Sequence, residues 1–516
     1  MLGGVRPTAA RRSWWLRETL AGEPVALGAA AAAPPLVGSV TADVVVLGGG
    51  YTGLWTALRL SELEPGARIV VLEADICGGG PSGRNGGFAT GWWDELPTLI
   101  ERHGEAGALA IARAIDAAVD DVGAWSAANG VDAWYTKAGS LTVSAAPAQD
   151  GVGADAVAAC ARLGVGEGYV AMTAEEVRAR VHSPVFRGGA FMPGAATIQP
   201  AALARGLRRV LLERGVQIHE GTTAVEIDGE RPGTFGWLGA AGRSVPTGRA
   251  GRATVGRATV GAARPVRVRT VSSAGSGEVT AGAAVVALNA WAAAWPSFGR
   301  RLVTWSSYIA LTEPIPGRLA EIGWTGGEGL ADGRFTLHYL RTTPDGRIAI
   351  GGGGGRAGFG GRIGPAFTDD RLSVQRAVAG LRRLFPSLRD VRIEDAWGGP
   401  IDITADHLPM FATLPGRPIH YGHGYSGNGV APAVVGGRIL AALALERSDD
   451  PVLTLPLVGA LPRAFPPEPF RYVGARLVRE AIVRTEQAEE RAERPSRLLR
   501  EVSRLPRRMG YHLGPE

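Results

Sequence analysis

Asp43-Val44-Val45-Val46-Leu47 runs directly into Gly48-Gly49-Gly50-Tyr51-Thr52-Gly53, and this junction restricts the possible fold more than any other stretch. An unbroken β-branched apolar run reads as a strand buried on both faces, the habit of parallel sheets. Leu54-Trp55-Thr56-Ala57-Leu58-Arg59-Leu60 has helical spacing, and Arg68-Ile69-Val70-Val71-Leu72 is a second strand ending on Glu73. Strand, glycine turn, helix and strand make one βαβ unit in about 30 residues. Each glycine of Gly48-x-Gly50-x-x-Gly53 has a physical reason. The first permits a tight turn, the second a close backbone approach to a ligand, and the third close packing of helix on strand.

The first turn of a helix carries N–H groups without intrahelical partners and the positive end of the dipole. Gly50, Tyr51 and Thr52 therefore present an anion site. Glu73 stands 20 residues beyond Gly53, with Ala74 behind it. A carboxylate there accepts hydrogen bonds from ribose hydroxyls and repels a 2′-phosphate, so the unit reads as a dinucleotide site that disfavours NADP. Two further glycine-rich loops decide between NAD and FAD. One is Gly78-Gly79-Gly80-Pro81-Ser82-Gly83-Arg84-Asn85-Gly86-Gly87. The other, Gly422-His423-Gly424-Tyr425-Ser426-Gly427-Asn428-Gly429-Val430, leads into a small-residue helix from Ala431 to Leu445. NAD requires only the first turn; three loops brought together fit a long extended ligand such as FAD.

Composition is ordinary for a globular protein, with 45% hydrophobic and 20% charged residues among 516. No apolar run approaches the roughly 18 residues of a membrane span. Cys77 and Cys160 cannot make a disulfide framework, and no His/Cys cluster has metal-ligand spacing; both features suit a reducing cytoplasm. The formal charge is +6. The basic residues are spread along the chain and Lys137 is the only lysine, which speaks against nucleic acid as a partner and mildly for anionic ligands. Arg11-Arg12-Ser13-Trp14-Trp15-Leu16 is like a twin-arginine export signal, but Glu18, Glu23 and Pro24 interrupt the apolar region that signal needs. A short amphipathic segment packed on the folded body is expected instead.

Further along, the pattern predicts a helix over Gly104–Asn129, a strand over Gly139–Val143, a helix over Pro200–Arg214 and a strand over Val216–His219. Strands are predicted at Phe335–Tyr339 and Arg347–Gly351. Residues 232–265 repeat Gly-Arg-Ala-Thr-Val and read as a surface insertion with little order. The charged tail from Arg471 onward is helical in pattern, with breaks expected at Pro495 and Pro506.

Together these motifs resemble the D-amino-acid oxidase/glycine oxidase superfamily of FAD-dependent oxidoreductases. Pro81-Ser82-Gly83-Arg84-Asn85-Gly86-Gly87-Phe88 is closest to its gamma-glutamylputrescine oxidoreductase-like branch. The resemblance spans roughly residues 40–445 and includes Ile198-Gln199-Pro200, Val285-Val286-Ala287-Leu288-Asn289-Ala290, Tyr339-Leu340-Arg341, Trp397-Gly398-Gly399 and Thr404-Ala405-Asp406. It implies an α/β fold in which a Rossmann-like FAD-binding domain is built from 40–130, 186–300 and 391–446. An inserted α+β substrate domain on a mixed or antiparallel sheet would take 131–185 and 301–390, flanked by an N-terminal segment 1–39 and a helical tail 447–516. Val225 would hold the adenine through its backbone, Asn289 would sit by the phosphates or ribityl chain, and Asp406 would lie near the flavin end.

The implied reaction is oxidation of the C–N bond of a small amine or amino acid, anionic ones included. Hydride passes to flavin N5, water hydrolyses the imine, and O2 (forming H2O2) or another electron acceptor reoxidises the flavin. Backbone N–H groups from Gly427 to Val430 would stabilise negative charge on the reduced ring. Tyr339 and Arg341 share a strand face, and Arg341 is the candidate clamp for a carboxylate or phosphonate. By residue type alone a surface arginine paired with an acid is the more ordinary reading, since most arginine is exposed. Trp305, Tyr308 and Phe88 are candidates for an aromatic wall around the amine, with plain core packing as the alternative. Some relatives tether flavin through a cysteine before the Thr-x-Asp motif or a histidine after the second glycine loop. Here Gly399 and Arg84 stand at those places, so non-covalent FAD is expected. Lys137 has no evident claim to activate oxygen, which leaves oxidase and dehydrogenase equally open. Two other readings also accommodate FAD: a flavin monooxygenase using NAD(P)H, and a non-catalytic FAD-binding interaction protein that docks through its tail.

Overall fold

Val44 and Val46 pack to one side of the strand Gly38–Leu47, Val45 and Leu47 to the other, and all four are at most 2% exposed. That double burial is why the run shows no polar alternation. The strand is central to the first sheet of the computed structural model, which describes residues 12–23, 32–233, 264–352 and 354–511. The order is Met410–Thr413, Ile419–His423, Gly275–Val286, Gly38–Leu47, Ile69–Leu72, Gln217–His219. Neighbours run parallel except at Met410–Thr413, which pairs antiparallel at the edge. An antiparallel arm of Thr223–Ile227 and Val266–Ser272 extends from Gly275–Val286. Helices Tyr51–Leu63, Leu96–Ala128 and Pro432–Ala444 share one core with Val44, Val46, Ile69 and Val71. Leu96–Ala128 is interrupted at Gly104 (φ 70), so its long uninterrupted part begins where the sequence pattern does.

The second sheet has the order Ile393–Ile403, Val303–Thr312, Ile348–Gly352, His338–Thr342, Gly329–Asp332, Ser140–Val143, Gly188–Met192, Val170–Thr173. It is mixed, because Gly329–Asp332 and Ser140–Val143 run parallel while the other pairs are antiparallel. Gly188–Met192 and Ile393–Ile403 thus pair beyond the 131–185 and 301–390 limits expected for this unit. The strand expected at Phe335–Tyr339 starts instead at His338, because Thr336 turns to donate its backbone N–H to Glu486 at 2.9 Å. Residues 234–263, nearly all of the expected insertion, lie outside the described residues.

The first and last described segments pack onto this body. Ser13 caps the helix Trp14–Gly22 by accepting the Leu16 N–H at 3.1 Å, and Trp15 and Leu16 are fully buried. The Gln199 side chain donates to the Trp15 carbonyl at 2.8 Å. In the tail, helices Phe470–Glu490 and Arg497–Arg508 are separated around Pro495, whereas Pro506 sits inside the second helix and does not break it. No helix among the described residues is long and apolar enough to cross a membrane.

Candidate active site

The glycine turn is built as its spacing suggested. Gly48 has φ 113, and a Cβ there would stand 2.4 Å from the Ala287 carbonyl oxygen. A Cβ on Gly53 would stand 1.9 Å from the Gly48 carbonyl oxygen, so only glycine lets the helix begin this close to the strand. Gly50 is an N-cap without a side chain, and Ser82 from the next loop accepts the Tyr51 N–H at 2.8 Å. Glu73 accepts the N–H groups of Gly49 and Asp75, each at 2.8 Å, and burial pushes its carboxyl up to about 7. A turn with no room for side chains at Gly48 and Gly53, a helix start facing it and an acid at the strand end fit the pyrophosphate and ribose of FAD.

The second loop is locked by its own side chains. Asn85 donates to the carbonyls of Pro81 and Ser82 at 3.1 and 3.0 Å and accepts the Gly87 N–H at 2.7 Å. Arg84, 3% exposed, donates to the carbonyls of Gly79 and Gly398 at 2.9 and 3.0 Å, and burial pulls it down to about 10. Trp397 donates its indole N–H to the Arg84 carbonyl at 2.9 Å, while its ring packs 5.7 Å from that of Trp15. The N-terminal helix therefore buttresses this loop from behind.

One cavity of about 760 Å³ begins at Tyr51 and Thr52 and passes Ser82, Arg84, Asn85, Gly86 and Asn289. Its wall continues through Ser426, Gly427, Asn428, Gly429 and Val430, and reaches Phe88, Trp305 and Tyr339. The Phe88 and Tyr339 rings meet edge to face at 5.7 Å, and the Tyr339 hydroxyl is 3.0 Å from Ser307 Oγ. In the late loop the N–H of Ser426 is spent on the Asp402 carbonyl (3.0 Å) and that of Asn428 on the Tyr425 carbonyl (2.9 Å). Among the described residues the N–H groups of Gly427, Gly429 and Val430, which also line the cavity, make no such backbone bond.

Several expected residues lie elsewhere. Gly48, Gly50, Gly53, Glu73, Ala74, Gly83 and Gly87 shape the turns without entering this cavity's wall. Val225 is also outside the wall, at a bulge: the pairing steps from Arg269–Glu226 to Thr270–Ala224 and skips it, releasing its backbone from the ladder. Arg341 does not reach the cavity. It is 2% exposed, donates to the carbonyls of Ile198 and, at 3.1 Å, Thr342, and its guanidinium lies 5.6 Å from the Trp15 ring. Burial lowers it to about 9. Tyr308 is fully buried on the other face of its strand from Trp305, its hydroxyl accepting from Ser306 at 2.9 Å and donating to Ala366. A separation of three residues puts two strand side chains on opposite faces, a signal already present in the sequence. Asp406 faces its own turn, accepting the Leu408 N–H at 3.4 Å. Lys137 pairs with Asp120 at 2.5 Å, away from the cavity wall.

Three carboxylates escaped the sequence reading. Asp402, fully buried, receives the Asn289 side-chain N–H at 3.0 Å and the Gly424 N–H at 2.6 Å, and burial pushes it up to about 6. Asp94 and Glu95 line the cavity, and they are the acids in its wall among the described residues. Burial raises both, and the charge of Asp94 raises Glu95 further, so the pair retains a proton above the usual carboxylate range. Adjacent acids ahead of a helix look like ordinary first-turn charges in sequence, which is why they carried no signal.

Comparison with known proteins gives a consistent result. The family described as FAD dependent oxidoreductase (DAO) matches residues 43–443. The chain is 26% identical over 435 residues to "Probable oxidoreductase OrdL" of Haemophilus influenzae, covering 82% of this chain and 86% of that protein. It is 28% identical over 409 residues to gamma-glutamylputrescine oxidoreductase of Escherichia coli, covering 78% and 84%. The crystal structure of glycine oxidase from Geobacillus kaustophilus superposes with a TM-score of 0.58 at 18% identity, over 83% of this chain and all of that one.

Proposed function

Because this chain belongs to the FAD-dependent oxidoreductase family, we propose that it oxidises the C–N bond of a small amine or amino acid on non-covalently held FAD. The observation that carries this reading is one continuous cavity. It joins the helix start at Tyr51–Thr52 to an aromatic wall of Phe88, Trp305 and Tyr339 and to the acids Asp94 and Glu95. The names of two similar proteins, gamma-glutamylputrescine oxidoreductase and glycine oxidase, support an amine or amino acid as substrate.

When bound, FAD supplies the acceptor for the hydride that leaves the substrate's α-carbon. The helix start and Glu73 would hold its pyrophosphate and ribose, Val225 its adenine, and Asn289 its middle. The N–H groups of Gly427, Gly429 and Val430 would serve as donors where negative charge develops on the ring. Asp94 and Glu95, adjacent in the cavity wall, attract an incoming ammonium and take up its proton, leaving the neutral amine that can release a hydride. Loss of one hydride and one proton from H–C–N–H leaves C=N, which water converts to a carbonyl and an amine. O2 or another acceptor completes the cycle. The free, buried thiols Cys77 and Cys160 support the cytoplasm as the compartment.

The test is a visible spectrum of the purified protein, followed by a panel of amines and amino acids added without oxygen. Flavin bands near about 370 and 450 nm that bleach with a compound of this class are the expected result. Bands that only NADPH bleaches would replace this reading with the monooxygenase.

A further inference from the structure

The family match ends at residue 443, yet the outer end of the cavity is closed by residues between 465 and 511. The helix Phe470–Glu490 lies across the second sheet and is pinned along its length. Arg471 donates to the carbonyls of Gly299 and Leu302 at 2.7 and 3.1 Å, and Arg479 to that of Gly354 at 2.6 Å. Buried Glu486 accepts the Thr336 N–H at 2.9 Å and pairs with Arg334 at 3.0 Å. Between these anchors Gly474, Val478 and Ile482 follow at four-residue intervals, and all three line the cavity. Leu505 of the second tail helix and Met509 at its C-cap extend the same wall, and Phe470 stands at its mouth, 71% exposed. The two tail arginines in the wall are each anchored, Arg471 also by Glu468 at 2.9 Å, and only Arg479 Nε is left without a hydrogen-bond partner among the described residues, so the rest of this end of the cavity offers mainly C–H surface. Gly474 leaves room there: a Cβ built on it meets no atom within 4 Å.

We infer that this carboxy-terminal helical pair is the substrate-selecting wall of the cavity and favours amines that carry an unbranched apolar chain. The inference rests on the amine-oxidation reading above. An ammonium drawn to Asp94 and Glu95 turns the rest of its molecule toward the remaining walls. Past Trp305 and Thr336 the wall is the apolar stripe of Gly474, Val478 and Ile482. A chain of methylenes lying on that stripe leaves water, whereas a second ammonium would lose hydration beside Arg471 and Arg479 without a partner.

The experiment measures anaerobic flavin bleaching by two series, methylamine to pentylamine and glycine to norleucine, in the full-length holoenzyme and in Gly474→Phe and Val478→Ala. The apparent second-order rate in the better series is expected to rise about fourfold per methylene, the worth of burying one CH2. Gly474→Phe is expected to lower the long-to-short ratio by about tenfold or more, as overfilling a fitted site does. Val478→Ala should flatten the dependence on chain length. Two outcomes would overturn the inference while leaving amine oxidation standing: rates indifferent to chain length, or a ratio that neither variant moves. A holoenzyme that no member of either series bleaches would overturn the amine reading, and this wall's role with it.

Discussion

Asn289 donates its side-chain N–H to Asp402 across 3.0 Å, joining the loop after the strand Gly275–Val286 to the end of the strand Ile393–Ile403. The other Asp402 oxygen accepts the Gly424 N–H at 2.6 Å, so one buried carboxyl sets the position of two loops that line the cavity. Asn289 has φ 46, a left-handed conformation that asparagine tolerates better than most residues.

That carboxyl gives a pH signature. Burial pushes Asp402 up to about 6 from the ordinary 3.8, so between those values the folded chain binds more protons than the unfolded one. Its contribution to stability is fully present below the unfolded value and is lost as pH rises through about 6. The total is about 3 kcal/mol for a two-unit shift. Asp402→Asn is neutral throughout, so the thermal midpoint of the wild type should fall relative to the variant between pH 4 and 7. Parallel midpoint profiles for the two proteins would show that Asp402 titrates normally.

Gly50 and Gly53 should respond differently to a side chain, although they belong to one motif. A Cβ on Gly50 meets only Ser82 Oγ, at 3.0 Å, whereas one on Gly53 strikes the Gly48 carbonyl at 1.9 Å. Gly50→Val should keep the apoprotein fold by circular dichroism while weakening FAD binding by about 100-fold, the loss of close approach to the phosphates. Gly53→Ala should lower the apoprotein's thermal midpoint, since backbone cannot yield cheaply. Equal loss of flavin and of fold in both variants would deny the separate roles.

The dinucleotide unit was legible because its signals are local: a doubly buried strand, glycines with steric reasons and an acid at the next strand end. The cavity's far side was not, because it depends on contacts between segments distant in sequence. Asp94 and Glu95 look like a helix start until the second sheet covers them. Gly474, Val478 and Ile482 look like one face of an amphipathic helix until the partner of that face is seen to be the cavity. Strand alternation correctly placed Tyr339 and Arg341 on one face, but Trp15 of the N-terminal helix and the Ile198 carbonyl occupy the Arg341 end of it.

Arg341 should therefore behave as a structural residue. Its guanidinium donates to the Ile198 carbonyl beside the Trp15 ring and has no opening to the cavity. Arg341→Leu leaves that carbonyl without its partner, a loss of about 1–3 kcal/mol that a lowered thermal midpoint would register. The preference between carboxylate-bearing and carboxylate-free amines should hold. If KM for the carboxylate-bearing compounds alone rose about 100-fold, the loss of a bidentate clamp would be the explanation and this placement would be wrong.

Glu486 tests whether the tail is an integral part of the active site. Its carboxylate is 8% exposed and holds the Thr336 N–H, the Thr336 hydroxyl and Arg334 together. Glu486→Gln keeps the shape but removes the charge, leaving Arg334 with its second partner, Glu490, at 3.2 Å. Breaking a buried pair in this way costs up to ~3–5 kcal/mol, less whatever Glu490 recovers. The anchor lies on the tail rather than between the two sheets, so the loss should be local. Hydrogen exchange should quicken across Phe470–Glu490 while the strand Gly38–Leu47 keeps its protection. With the wall loosened, discrimination by chain length should decline before flavin content does. Faster exchange in both segments together would instead mean that the tail and the nucleotide-binding core unfold as one unit.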